Sequence, residues 1–377
     1  MKKVLVVGCG VSGKAVIDYL IKKHISVVAV DKSLEIDVDC PLFHENHEFF
    51  PFDFDLVVIS PGVKLDHPQV LAAKYAQVEV IGEVELALRQ INNPAIGVTG
   101  TNGKSTTVAL IAHILDAHAV GNIGTPVISL VDAISPNEIL VIELSSFQLM
   151  TMKKPSLDMA IILNITPDHL DWHGSMEAYE EAKYSIKYLL KEGGEFFSFL
   201  PNLEAAWKAS LHFGVSQERF NQKVATFKPL EHRLEFVAEI DGVKCINDSK
   251  ATNIASLEHA LNSIEGKVVL IMGGINKGVS MAPIAPLIEN KARAVMLLGQ
   301  SKHIIASELS KNTPRVFVDS MQEAIQKGLQ HAKRGDTLLL APGCSSLDMF
   351  ANYADRGKEF KRQIHESKRY DTSSGSR

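Results

Sequence analysis

Residues 97–106 read GVTGTNGKST, and the fold of the whole chain turns on how they are read. Gly100, Thr101, Asn102, Gly103, Lys104 and Ser105 have the makings of a phosphate-binding loop, but in the common pattern four residues separate the first glycine from Gly-Lys-Ser/Thr. Here Val98 holds that place, with Gly97 one residue too early and Gly100 two too late. A strand-like run, AIGVT, leads into the motif and a helical pattern, KSTTVALIAHILDAH, leads out. Backbone N–H groups and the helix dipole then converge on one point, where a phosphate can sit. Lys104 would meet the β- and γ-phosphates, and the hydroxyl of Ser105 or Thr106 would join the shell of a Mg²⁺. A glycine-rich turn with a solvated lysine is the plainer alternative, and these residues alone leave it open.

Outward from the motif, strand-like runs alternate with helical patterns, which predicts an α/β protein with parallel sheets covered by helices. KVLVVG, SVVAVD, LVVIS and VEVIG precede it, ILVIELSS and MAIILNIT follow, and KVVLIMGG, RAVMLLGQ, RVFVDS and DTLLLAPG form a later set. An Asp241-Gly242 turn marks a hairpin before that last set. The 377 residues exceed what one hydrophobic core serves. Three domains are expected: a Rossmann-like 1–93, a central P-loop domain 94–228 and a doubly wound 229–377, with breaks at Asn92-Asn93-Pro94 and Lys228-Pro229. The tail YDTSSGSR is expected to be disordered.

Composition excludes several classes. With 46% hydrophobic and 22% charged residues the chain is an ordinary globular protein, and a net charge of −5 offers no general attraction to nucleic acid. The four cysteines form no Cys-x-x-Cys pair, so neither a zinc site nor a disulfide framework is indicated and a reducing cytoplasm fits. No apolar run approaches the roughly 18 residues of a membrane span.

A second glycine motif, GCGVSG at 8–13, follows the first strand, and Asp31 ends the second. Alone it reads equally as an NAD site or as a turn that brings some other diphosphate to a helix N-terminus. Glu143 in IELSSFQL and His169 in ILNITPDHLDWHG follow apolar runs in the unit that holds the phosphate loop. A parallel sheet would bring both to the strand ends that face the phosphates, with Glu143 as a natural Mg²⁺ ligand and His169 as a secondary one.

Taken in order, GTNGKST, GNIGTP, ELSSFQL, NITPDHLDWHG, EHRLEF, NDSKATN and APGCSSLDMF resemble the Mur ligases, ATP-dependent amide-forming enzymes of peptidoglycan synthesis, over nearly the whole chain. ELSSFQL with SPGV points to the branch that adds D-glutamate. The resemblance implies ATP, Mg²⁺ at two sites, UDP-N-acetylmuramoyl-L-alanine and D-glutamate as ligands of a cytoplasmic monomer, and an acyl-phosphate intermediate. It implies that Gly10, Val11, Ser12, Asp31, Lys32 and Gly62 hold the uridine nucleotide and that Asn122 and His169 contact the same substrate. Lys104, Glu143, His169 and Lys183 would be the catalytic set, with Ser105, Glu143, His169 and a carbamylated Lys183 around the metals. Arg233, Asp248, Lys250 and Thr252 would join residues 100–106 on ATP, and Lys277, Ser346, Leu347 and Tyr353 would receive D-glutamate. Two departures stand out: the stretch between Lys183 and His232 is short for the family, and no His-Asn-x-x-Asn helix is present to meet adenine. The rival readings are a folylpolyglutamate-type or other amide ligase, an NAD-dependent dehydrogenase, and a nucleotide-binding regulator without turnover.

Overall fold

The computed structural model describes residues 2–47, 49, 53–276 and 278–374. Three sheets carry the chain. The first has β1 (Lys3–Val7), β2 (Ser26–Asp31), β3 (Leu42–His44), β4 (Leu56–Ile59) and β5 (Glu79–Gly82) in the order β3-β2-β1-β4-β5, all parallel. The second has β6 (Ala95–Thr99), β7 (His118–Gly121), β8 (Leu140–Glu143), β9 (Leu157–Ile162) and β10 (Leu190–Ser198) in the order β10-β9-β6-β8-β7, again all parallel. Near-continuous apolar runs such as VLVV and IGVT are what strands need when both faces are covered.

The third sheet has β11 (Glu235–Ile240), β12 (Val243–Asn247), β13 (Val268–Gly273), β14 (Ala292–Leu298), β15 (Arg315–Phe317) and β16 (Thr337–Leu340) in the order β11-β12-β16-β13-β14-β15. Only β11 runs antiparallel, joined to β12 by Asp241 and Gly242, both at positive φ, as a two-residue hairpin requires. One buried cluster on each face, around Leu270 and around Ile271, fills the space beneath the helices.

Two compact units result, one of residues 1–165 with 177–227 and the other of 166–176 with 228–377. The first two sheets therefore share a unit. Alternate residues of β1 explain this: Leu5 and Val7 face a core confined to the first sheet, whereas Val4 and Val6 face one that continues to Leu140, Leu157 and Ile186 of the second. The helix Glu83–Leu88 is buried at every residue along this seam.

The tail departs from expectation, because the helix Tyr353–Ser374 carries its backbone through most of YDTSSGSR; residues 375–377 lie outside the described set. Among the described residues, no helix is long and apolar enough to cross a membrane.

Candidate active site

β6 lies at the centre of the second sheet between β8 and β9, so its C-terminal end is a switch point where ligands collect in open parallel sheets. The misplaced Gly97 is a strand residue, buried and paired with Ile142 and Ala160. A Cβ there would stand 2.6 Å from the Leu157 Cδ1, so its glycine serves packing. The turn is made by Gly100 (φ +149°) and Gly103 (φ +84°), conformations that other residues reach only with strain. Asn164, which follows β9, braces the loop: its carbonyl accepts the Thr101 N–H (2.8 Å), its Oδ1 accepts the Asn102 N–H (2.8 Å), and its Nδ2 donates to the Asn102 carbonyl (3.0 Å).

The helix Lys104–Leu115 starts at once, with Ser105 buried and Thr106 half-buried in its first turn. Lys104 Nζ donates to the carbonyls of Gly100 and Thr101, each at 2.8 Å. Lys183, from the helix Met176–Tyr184, donates to the same Gly100 carbonyl at 2.8 Å although it is only 1% exposed. Its Nζ also lies 4.5 Å from the centre of the Tyr179 ring, and the Tyr179 hydroxyl is 3.1 Å from Thr101 Oγ1. Two ammonium groups and a helix N-terminus thus meet at one point, which is electrostatically suited to a polyanion.

Glu143 ends β8 beside Val98 of β6. It is 1% exposed; Oε1 accepts from Asn122 Nδ2 (3.0 Å), while Oε2 is buried with no hydrogen-bond partner. A buried, unsatisfied carboxylate oxygen is costly without a cation or donor. Glu143 at the end of β8 and the Ser105 hydroxyl in the first turn of the helix that follows β6 are an oxygen donor set that suits Mg²⁺, which favours a few protein oxygens and completes its shell with phosphate and water. Among the described residues no three His, Cys, Asp or Glu side chains gather as a metal cage.

His169 falls in the other compact unit. It sits at φ +55° before the short helix Leu170–His173; its N–H donates to Asp168 Oδ1 (2.9 Å) and its Nε2 lies 3.7 Å from Asp168 Oδ2. Asp168 is held in turn by Asn253 Nδ2 at 2.9 Å. Tyr179, Asn164 and Asp168 were not singled out from sequence. Tyr179 had a signal in its i,i+4 spacing to Lys183, and Asn164 and Asp168 lie inside NITPDH.

At the first glycine motif, Asp31 Oδ2 accepts the Cys9 N–H (2.6 Å) and Oδ1 the Ser33 N–H (3.1 Å), so this carboxylate shapes its own loops. Ser60 Oγ donates to the Gly8 carbonyl (2.7 Å). Gly10, Val11, Lys32 and Gly62 are exposed and Ser12 half-buried.

In the second unit Asp248 is buried and accepts the Leu234 N–H at 3.3 Å. Burial pushes its carboxyl up to about 6, against the pull of that N–H and of Arg233. Lys250 Nζ lies 3.8 Å from the centre of the Tyr353 ring, a cation–π contact. Thr252 lines a small cavity with Asp168, Asn253 and Gly343. Ser346 is buried, its carbonyl accepting from the Met349 and Phe350 N–H groups, while Leu347 is exposed. Arg356, unnoticed in sequence, is 3% exposed and donates to Ser249 Oγ (3.0 Å) and to the carbonyls of Ser249 (2.9 Å) and Cys344 (3.2 Å). It ties the loop of Asp248 and Lys250 to the one of Ser346. Lys277 lies outside the described residues.

Family models match along the chain: a MurD-like Mur ligase N-terminal domain at residues 2–82, a Mur ligase middle domain at 98–238, and a Mur ligase glutamate ligase domain at 232–344. The UDP-N-acetylmuramoylalanine–D-glutamate ligase of Protochlamydia amoebophila is 35% identical, covering 96% of this chain and 98% of the relative. The enzyme of that name from Caldicellulosiruptor bescii is 36% identical over 97% and 98%. The first alignment spans 439 residues, more than the 377 here, so that relative carries segments this chain lacks. Among solved structures, the MurF ligase of Thermotoga maritima in complex with ADP superposes with a TM-score of 0.59 at 16% identity, covering 97% of this chain and 96% of that one. The UDP-N-acetylmuramate-alanine ligase MurC of the same organism gives 0.57 at 17%, over 97% and 100%; at such identities these two speak for the fold alone. With all three family models in register and full-length relatives above 30% identity, the chain belongs to the Mur ligase family.

Proposed function

We propose that this chain is an ATP-dependent ligase that joins D-glutamate to UDP-N-acetylmuramoyl-L-alanine. The observation that carries the reading is the meeting of Lys104 and Lys183 on the Gly100 carbonyl at a helix N-terminus, in the sheet where Glu143 keeps a buried oxygen unpaired. The names of its full-length relatives support the choice of amino acid.

In this reading the γ-phosphoryl group passes to the muramoyl-alanine carboxylate, giving an acyl phosphate and ADP. The amine of D-glutamate then attacks the acyl carbon and phosphate leaves. Such transfers need positioned positive charge more than a covalent nucleophile. Lys104 and Lys183 provide it, with the loop N–H groups of 100–106 aligned by Asn164. Ser105 and Glu143 would hold Mg²⁺, which when bound offsets the charge of the phosphates. Carbamylation would turn Lys183 from an anion clamp into a carboxylate ligand; a carbamate resonance after growth on isotope-labelled bicarbonate tests that step. Asn122 and the exposed rim of Gly10, Val11, Ser12, Lys32 and Gly62 would receive the uridine substrate. Arg233, Asp248, Lys250 and Thr252 would act on ATP, and Lys277, Ser346, Leu347 and Tyr353 on D-glutamate.

The test is phosphate release across a panel of amino acids. Release should require UDP-muramoyl-alanine and D-glutamate together. Equal turnover with L-glutamate or glycine would overturn the substrate assignment, and tight NADH binding without ATP hydrolysis would overturn the reaction class.

A further inference from the structure

Glu83 opens the helix Glu83–Leu88 and is 3% exposed. Its carboxylate reaches from the first sheet's helix to the start of the 3₁₀ helix Val127–Leu130, where Oε1 accepts the Ile128 N–H at 2.7 Å while Oε2 is buried with no hydrogen-bond partner. That helix needs such help. Its N-cap is Pro126, which has no side-chain acceptor, so local sequence leaves the first N–H groups unserved. Glu85, two residues on and fully buried, does the same for the Lys153 and Lys154 N–H groups. Two carboxylates from one short helix therefore supply caps that the second sheet's own loops lack.

The capped turn is the rear anchor of the loop 122–126. At its front end the Asn122 N–H donates to the Glu143 carbonyl (2.9 Å) and the Asn122 amide to Glu143 Oε1 (3.0 Å). Gly121 turns the chain at φ +95°, its N–H donating to the Thr125 carbonyl (3.0 Å). Between these anchors Asn122, Gly124 and Thr125 are exposed. Only four residues separate Asn122 from Val127, so a shift at the rear anchor is passed to the front.

We propose that Glu83 is a positioning residue: by holding the Ile128 N–H at the start of the 3₁₀ helix it sets the loop 122–126 and thereby holds the Asn122 amide on Glu143 and toward the uridine substrate. The proposal rests on the ligase reading above for the roles of Asn122 and Glu143. In this apolar seam Oε1 serves a backbone donor that no water can reach, and the unpartnered Oε2 is consistent with burial raising the carboxyl's affinity for a proton.

The test compares Glu83→Ala, Glu83→Gln, Asn122→Ala and the double variant Glu83→Ala/Asn122→Ala in the full-length protein. Glu83→Ala should raise the KM for UDP-muramoyl-alanine about tenfold, the equivalent of losing one net hydrogen bond, with the KM for ATP changed less than about twofold. Glu83→Gln keeps an acceptor oxygen and should restore most of the loss. The double variant should be no worse than Asn122→Ala, because both changes act through one amide. Amide hydrogen exchange should quicken at Asn122 as well as at Val127 and Ile128 in Glu83→Ala. Additive effects in the double variant, or a rise in every KM alike, would overturn the proposal. Exchange can be read even without turnover, so quickening confined to Val127 and Ile128 would also overturn it. A wild-type enzyme that ignores both substrates would instead overturn the ligase reading.

Discussion

Gly97→Ala separates the two readings of the opening motif. If Gly97 were a phosphate-loop glycine, its substitution would strike nucleotide binding; if it is a strand residue, it strikes packing. The added Cβ would lie 2.6 Å from Leu157 Cδ1, 3.1 Å from Leu144 Cδ1 and 3.2 Å from Ile186 Cδ1, all on fully buried side chains. Overpacking of this kind costs about 1–3 kcal/mol, and the reduced freedom of the unfolded chain returns about 0.4–1 kcal/mol, leaving a net loss of about 1–2 kcal/mol. Urea unfolding followed through Trp207, which packs against the core of the second sheet, should show a lower midpoint. ATP affinity should change by less than about twofold, because Gly97 lies within the strand rather than in the turn. Gly103→Ala should behave in the opposite way. Its φ of +84° costs a side chain about 1–2 kcal/mol, and the new Cβ would press on Asn202 Oδ1 at 2.6 Å, so the phosphate loop deforms and affinity falls about tenfold. An unchanged midpoint for Gly97→Ala together with a tenfold loss of ATP affinity would refute the reasoning.

Lys183→Met keeps the buried volume but removes the charge at Gly100, and turnover should fall at least about 100-fold in a phosphate-release assay while the unfolding midpoint holds. Arg356→Gln leaves the Ser249 and Cys344 carbonyls short of donors and should lower stability by about 1–3 kcal/mol in denaturant unfolding. Burial pushes the Glu83 carboxyl from its ordinary 4.5 up to about 7. Because the folded form binds the proton more tightly, its contribution is greatest below pH 4.5, declines as pH rises toward 7 and is flat above, a span of about 3 kcal/mol. Glu83→Gln should flatten that part of the stability-against-pH profile measured by denaturant titration.

The fold class was legible because parallel sheets write themselves as apolar runs separated by helical periods. β1, β2, β4 to β6, β8, β9 and β13 to β16 all coincide with runs visible in the chain, whereas β7 begins inside the stretch 104–118 that reads as one helix. The tail was misread because small polar residues suggest disorder, whereas the helix from Tyr353 simply continues through them. In the site, Gly100, Gly103 and Lys104 were readable from local spacing, since one turn brings them together. Lys183 was not, because a lysine in a charged amphipathic helix looks solvated until the chain folds it under Gly100, 83 positions away.

Sequence by itself therefore determined most of the strands, the glycine turn at 100–103 and the family, all of which depend on short-range pattern or on motifs in order. Tertiary structure alone decided that Gly97 makes room for Leu157, that Asn164 braces the loop, and that two lysines share one carbonyl. It also decided that Glu83 caps a helix 45 positions away. These are contacts between residues distant in the chain, and their energy comes from burial and from satisfying backbone groups that no local pattern records.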